Sequence, residues 1–158
     1  MTKAARRPLN TTIGWREWVG LPDLYIFPIR AKIDTGARTS ALHAVVRETY
    51  EKDDVAWVDF DVPVFETKSV KRCRARLVES RAIKNTSGVP DHRYVIETTL
   101  VLGQRSWVIE TSLADREQMT FDLILGRTAI RNRRLCVDPG RSYLLGPPLQ
   151  MAATPLSA

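Results

Sequence analysis

An alternation of period two runs through the middle of this chain and commits much of it to β-structure. Ala56-Trp57-Val58-Asp59-Phe60-Asp61-Val62-Pro63-Val64 alternates apolar and polar residues, as a half-buried strand does. Arg72-Cys73-Arg74-Ala75-Arg76-Leu77-Val78-Glu79 does so again, with arginines on one face and Cys73, Ala75 and Leu77 on the other. Helical spacing of three and four cannot accommodate either run.

Further strands fall between turn signals. Ile13 to Leu21 is a short run that stops at Pro22. Tyr25 to Asp34 is rich in β-formers but is cut by Pro28, which suits an edge or a bend. Asn85-Thr86-Ser87-Gly88-Val89-Pro90-Asp91 is a dense turn cluster. Tyr94–Leu102 and Ser106–Leu113 then flank a tight Gly103-Gln104 turn. One short helix is expected over Gly126–Asn132, ahead of a last strand Leu135–Asp138 and a Pro139-Gly140 turn. Many short strands at such intervals specify an all-β fold, a small closed barrel with one short C-terminal helix.

Composition sets the outer limits. The 158 residues suffice for one domain with its own core. Residues 1–11 read as a polar, basic tail, 12–146 as the domain and 147–158 as a second loose tail. No run approaches the roughly 18–20 apolar residues of a membrane helix, and the basic start is followed by no apolar signal segment. Cys73 and Cys136 are too few for a disulfide scaffold. A reduced, cytoplasmic protein is expected. Only two histidines, His43 and His92, are present, with no His-Glu-x-x-His, Cys-x-x-Cys or phosphate-binding Gly-x-x-x-x-Gly-Lys loop. No metal and no cofactor is therefore expected.

Chemistry concentrates in Ala31-Lys32-Ile33-Asp34-Thr35-Gly36-Ala37-Arg38-Thr39-Ser40-Ala41-Leu42. An apolar strand delivers a single carboxylate to its end, and Thr-Gly then turns the backbone sharply. An aspartic protease needs such a loop, because its nucleophile is a water held between two carboxylates that share one proton. The later Phe121-Asp122-Leu123-Ile124-Leu125-Gly126-Arg127 sets apolar residues before Gly-Arg and opens the short helix. With both segments in this order, the chain resembles the retropepsin-like aspartic proteases. Ala31–Ala44, Leu125–Ile130 and Val137–Gly146 together look like one bacterial and archaeal family within that fold. That family is commonly labelled an ATP-dependent zinc protease and is associated with RimK-type ATP-grasp ligases that add glutamate tails to a ribosomal protein.

The resemblance, spanning about residues 13–146, implies a retropepsin-like barrel and peptide hydrolysis. Asp34, Thr35 and Gly36 would form the catalytic loop, braced by Leu125, Gly126 and Arg127. The hairpin from about Cys73 to Val95 would correspond to the flap. One Asp-Thr-Gly per chain demands an isologous homodimer, with Asp34 contributed by each protomer. Arg38 departs from the acidic residue that retropepsins often carry after Asp-Thr-Gly-Ala, and it would favour an ionised, inactive pair of carboxylates. The stretch between Asp34 and Gly126 is longer than a minimal retropepsin needs, so the middle carries an insertion.

The basic stripe Arg72, Arg74 and Arg76, with Ala37 and Arg38, is the expected binding surface, suited to an acidic, glutamate-rich peptide. A link to an ATP-grasp glutamate ligase follows from the family association. Trp15, Trp18, Trp57 and Trp107 could stack on bases, but tryptophans on alternating strands more often fill a core, so no nucleic-acid interface is expected. His43 reads as a buried, hydrogen-bonded histidine rather than a metal ligand with Asp34. His92 reads as a solvated flap-tip residue, and Cys73 as a structural thiol. Two alternatives to an aspartic-type endopeptidase stay open: a non-catalytic peptide- or ribosome-binding module on the same barrel, and a zinc-dependent protease.

Overall fold

A computed structural model describes residues 10–84, 90–115 and 120–151. The expected tip turn at 85–89 and most of both terminal tails lie outside the described residues. Eleven strands are described: β1 (Thr11–Gly14), β2 (Arg16–Leu21), β3 (Ile26–Asp34), β4 (Ser40–His43), β5 (Val45–Lys52), β6 (Val55–Val64), β7 (Ser69–Lys84), β8 (Pro90–Leu102), β9 (Arg105–Ala114), β10 (Leu123–Gly126) and β11 (Leu135–Asp138). One short helix, α1 (Arg127–Ile130), follows β10.

The larger sheet runs β2-β3-β10-β4-β9-β8-β7-β6-β5, and β2 also pairs with β8. That extra pairing, Val19 with Leu102 and Gly20 with Val101, closes β2, β3, β10, β4, β9 and β8 into a six-stranded barrel. The architecture is the all-β barrel expected. Its interior is filled by inward positions of successive strands, among them Leu21, Ile29, Leu42, Ile96, Leu100, Leu123 and Leu125, all essentially inaccessible. Truncating any one of them to alanine costs about 2–5 kcal/mol.

Pro28 marks a bend and not an edge. Its peptide with Phe27 is cis, and β3 lies inside the sheet between β2 and β10. The strand tolerates a residue without an N–H because β2 shifts register between Val19 and Leu21, and β10 pairs only with Ala31–Asp34.

After β4 come β5, β6 and the first half of β7. These strands extend the sheet beyond the barrel, and Val58, Phe60, Val62, Val64, Cys73 and Ala75 bury one face of the extension in the common core. Cys73 is the buried structural thiol expected; burial pushes its pKa up to about 12. The second half of β7 turns its pairing to β8, and β8 in turn pairs with β9 from Tyr94 to Leu102. His92 belongs to β8, opposite Ala82, and not to a loop tip. It is exposed, as expected, but bonds Ser80 and packs on the Tyr94 ring.

Segments far apart in sequence meet at one carboxylate. Glu17 is fully buried, yet all of its burden is met by backbone donors: Gly14 N–H (2.7 Å) and Leu144 N–H (2.9 Å) to Oε2, and Leu145 N–H (3.0 Å) to Oε1. Nearby, β1 and β11 pair in parallel from Thr11–Leu135 to Gly14–Asp138. Leu149, within the expected loose tail, donates its N–H to Gly103 O. Of the tryptophans, Trp57 and Trp107 are buried, and Trp15 and Trp18 are half-buried.

Candidate active site

The Asp34 loop exists because of an unusual strand order. β10 runs parallel to β3 and antiparallel to β4, and so lies between two strands that are consecutive in sequence. The segment from Asp34 to Thr39, which joins β3 to β4, therefore crosses over the end of β10 at Gly126. Register places Gly126 directly beside Asp34.

This crossing requires a glycine. A Cβ built at Gly126 would stand 2.6 Å from both the carbonyl carbon and oxygen of Thr39 and 2.9 Å from its nitrogen. Backbone cannot yield there as a side chain could. The contact is then fastened by polar groups: Gly126 N–H donates to Ser40 Oγ (3.1 Å), and Arg127 N–H to Ala37 O (2.8 Å). Arg127 Nη1 reaches Gly36 O (3.1 Å), while Thr128 donates to Arg38 O through both N–H and Oγ1 (3.2 and 2.7 Å). Leu125, fully buried beneath, anchors β10 to the core.

Held this way, the loop folds back on its own carboxylate. Asp34 Oδ1 accepts hydrogen bonds from Gly36 N–H (3.0 Å) and Ala37 N–H (3.2 Å). A Cβ on Gly36 would sit 3.3 Å from that same oxygen, so a larger residue would press on the carboxylate. Among the described residues, Asp34 Oδ2 accepts no hydrogen bond and the Thr35 hydroxyl makes none. Asp34 is half-buried; Thr35 and Gly36 are exposed. A carboxylate with one oxygen fixed and the other turned to solvent has a defined plane, as proton transfer requires.

The arginines are not gathered as the sequence suggests. Arg72 and Arg74 lie on the β5-β6-β7 extension, opposite Asp61 and Asp59 in register. Arg72 Nε is 3.2 Å from Asp61 Oδ1, and Arg74 Nε is 2.9 Å from Asp59 Oδ1. Arg47 of β5 completes the staple, 2.6 Å from Asp61 Oδ2. Hydrogen bonding from Arg47 and Arg74, respectively, is the largest influence holding the Asp61 and Asp59 carboxyls below the usual range. Arg76 is exposed farther along β7, opposite Trp57. Of the expected binding residues, only Arg38 reaches the cavity of about 430 Å³ beside the Asp34 loop, where it meets Arg81, Arg93 and Arg131. Arg131 belongs to the basic run Arg131-Asn132-Arg133-Arg134 that the sequence displays; Arg81 and Arg93 were not singled out by sequence, and neither was Ser40.

His43 is buried, with Nδ1 3.2 Å from Ala114 O and its ring packed on Phe65. Its own N–H donates to the Asp122 carbonyl (2.9 Å). Among the described residues no three of His, Cys, Asp or Glu converge on a common point. A zinc centre of three or four such ligands does not fit these side chains.

Comparison with known proteins identifies a family and a shared fold. The family described as retropepsin-like aspartic endopeptidase RimB matches residues 12–148. The chain belongs to this family. Curated relatives named probable alpha-L-glutamate ligase share 41% identity in Desulfotalea psychrophila and 42% in Parasynechococcus marenigrum, each over 136 residues and 85% of this chain. Those alignments take in 29% of each relative, so the chain spans under a third of their length. A crystal structure of a Legionella pneumophila protein of unknown function superposes with a TM-score of 0.73 at 27% identity, over 86% of this chain and 98% of that one. No helix among the described residues is long and apolar enough to cross a membrane.

Proposed function

We propose that the chain is one half of an aspartic-type endopeptidase that works as a homodimer on acidic, glutamate-rich peptides. The observation that carries this reading is the Asp34 carboxylate, with Oδ1 fixed by two backbone N–H groups and Oδ2 left for chemistry. A single chain holds one such group, and a twofold axis supplies the second.

Two Asp34 carboxylates about 3 Å apart cannot both be ionised and so share a proton. The ionised member takes a proton from a water between them, while the protonated member donates to the peptide carbonyl oxygen. Thr35, exposed and without a hydrogen bond among the described residues, is free to engage the partner's loop. The +6 net charge and the arginines near the loop favour an anionic substrate. Relatives named glutamate ligase favour a substrate that bears added glutamates, and a functional link to an ATP-grasp ligase.

The test is Asp34→Asn. The variant should sediment as a dimer and cleave a glutamate-rich peptide about 10²–10⁴-fold more slowly than wild type. A dimeric Asp34→Asn protein cleaving at the wild-type rate would remove Asp34 from the mechanism.

A further inference from the structure

Four arginines meet in the cavity beside the Asp34 loop, each from a different element. Arg38 comes from the loop, Arg81 from β7, Arg93 from β8 and Arg131 from the residue that ends α1. Two carboxylates, Glu79 and Glu110, share the lining. The positive charges thus outnumber the negative ones in one concave space.

Strand register makes the arrangement unfavourable when the cavity holds only solvent. Arg81 and Arg93 are directly opposite across β7 and β8. Like charges at such a pair repel, and their Cβ atoms stand only about 4.5–5.5 Å apart. Glu79 relieves one of the two, with its Oε1 3.0 Å from Arg81 Nε. Among the described residues, Arg38, Arg93 and Arg131 enter no ion pair. Arg93 is also half-buried, so water solvates its charge incompletely. The contrast with Arg72 and Arg74 is informative, because those two arginines each face an aspartate built into the neighbouring strand.

We propose that this cavity is the charge-selecting subsite, taking a carboxylate side chain of the bound peptide with Arg93 as principal partner and Arg38 and Arg131 beside it. A guanidinium is planar and presents paired N–H donors that match the two oxygens of a carboxylate. Glu79 and Glu110 limit the positive surplus, which suits a singly charged carboxylate better than a doubly charged phosphate. The proposal deepens the peptidase reading and rests on it for the fate of the peptide after binding.

Binding is measured by fluorescence anisotropy on Asp34→Asn protein, so that no turnover intervenes. The probes are a labelled glutamate-rich peptide, its glutamine counterpart and a phosphoserine counterpart. The glutamate peptide should bind at least about tenfold tighter than the glutamine one, and adding Arg93→Gln or Arg131→Gln should each weaken it by about tenfold. Circular dichroism and thermal melting check that both variants are folded, and the two substitutions serve as independent probes. Unchanged affinity in both overturns the proposal. So does loss of the preference on Arg72→Gln/Arg74→Gln instead, or tighter binding of the phosphoserine peptide. Wild-type protein that shows the preference yet never cleaves supports the subsite and removes the peptidase reading. Cleavage without any charge preference does the reverse.

Discussion

Gly126 is where the Asp34 loop and the barrel core touch without a side chain between them. Adding one methyl group there drives a Cβ into the Thr39 backbone at 2.6 Å, a contact that only a shift of the whole loop can relieve. Gly126→Ala should therefore cost about 3 kcal/mol and lower Tm by on the order of 10 °C, measured by thermal unfolding, with peptide cleavage lost in parallel. A variant as stable as wild type would show that the loop has room to move. This residue was legible in the sequence, because Leu125-Gly126-Arg127 is a local pattern that gains weight beside Asp34-Thr35-Gly36, a string too short to be specific alone. Ser40 was not. Its hydroxyl matters only through Gly126 N–H, eighty-six positions away, and no local signal announces a contact made by strand order. Arg93 was hidden for the same reason.

Between elements, register decides what a charge is for. The arginines of β7 look like a binding stripe when β7 is read alone. Beside β6 they read differently: Asp59 and Asp61 recur at the same period of two, opposite Arg74 and Arg72. That signal was present in the sequence, but only for a reader who already knew the pairing. The Asp61 carboxylate spans three strands through Arg47 and Arg72. Its folded-state pKa is depressed, so its contribution is present above the unfolded value of about 3.9 and is lost as pH falls through the folded value. The arginines it binds are mostly exposed, which keeps the contribution modest. Asp61→Asn should lower Tm by a few degrees at pH 7, and the difference should narrow below about pH 4. A gap of constant size from pH 7 to pH 3 would mean the ion pairs contribute nothing. Among the strands themselves, β6, β9 and β11 were plain from alternation and turns. β4 and β5 were missed, because Ser40–Lys52 mixes polar and apolar residues without a clean period, and its burial is set by neighbours distant in sequence.

For the molecule as a whole, the barrel was legible as a class, from many short strands, but its closure was not. Only two residue pairs join β2 to β8, and nothing local in Val19, Gly20, Val101 or Leu102 marks them. The proposed catalytic unit is larger than the fold: one chain completes a barrel and half a reaction centre. Activity should then depend on protomer concentration. Specific activity of the wild-type protein should be constant when dimer dominates and fall in proportion to concentration on dilution below the dimer Kd. Kinetics over a dilution series, matched to sedimentation at the same concentrations, checks this. Specific activity that is flat through the monomer range would place the whole reaction within one chain.

The thirteen residues of β8 serve two structures at once. Its C-terminal end seals the barrel against β2, while its N-terminal half carries Arg93 and supports the last residues of β7. The same backbone is stitched to β9 from Tyr94 to Leu102. The paired ends of β7 and β8 are thus rooted in the barrel wall. Whatever load a bound peptide places on Arg93 is borne by the seam that keeps the barrel shut.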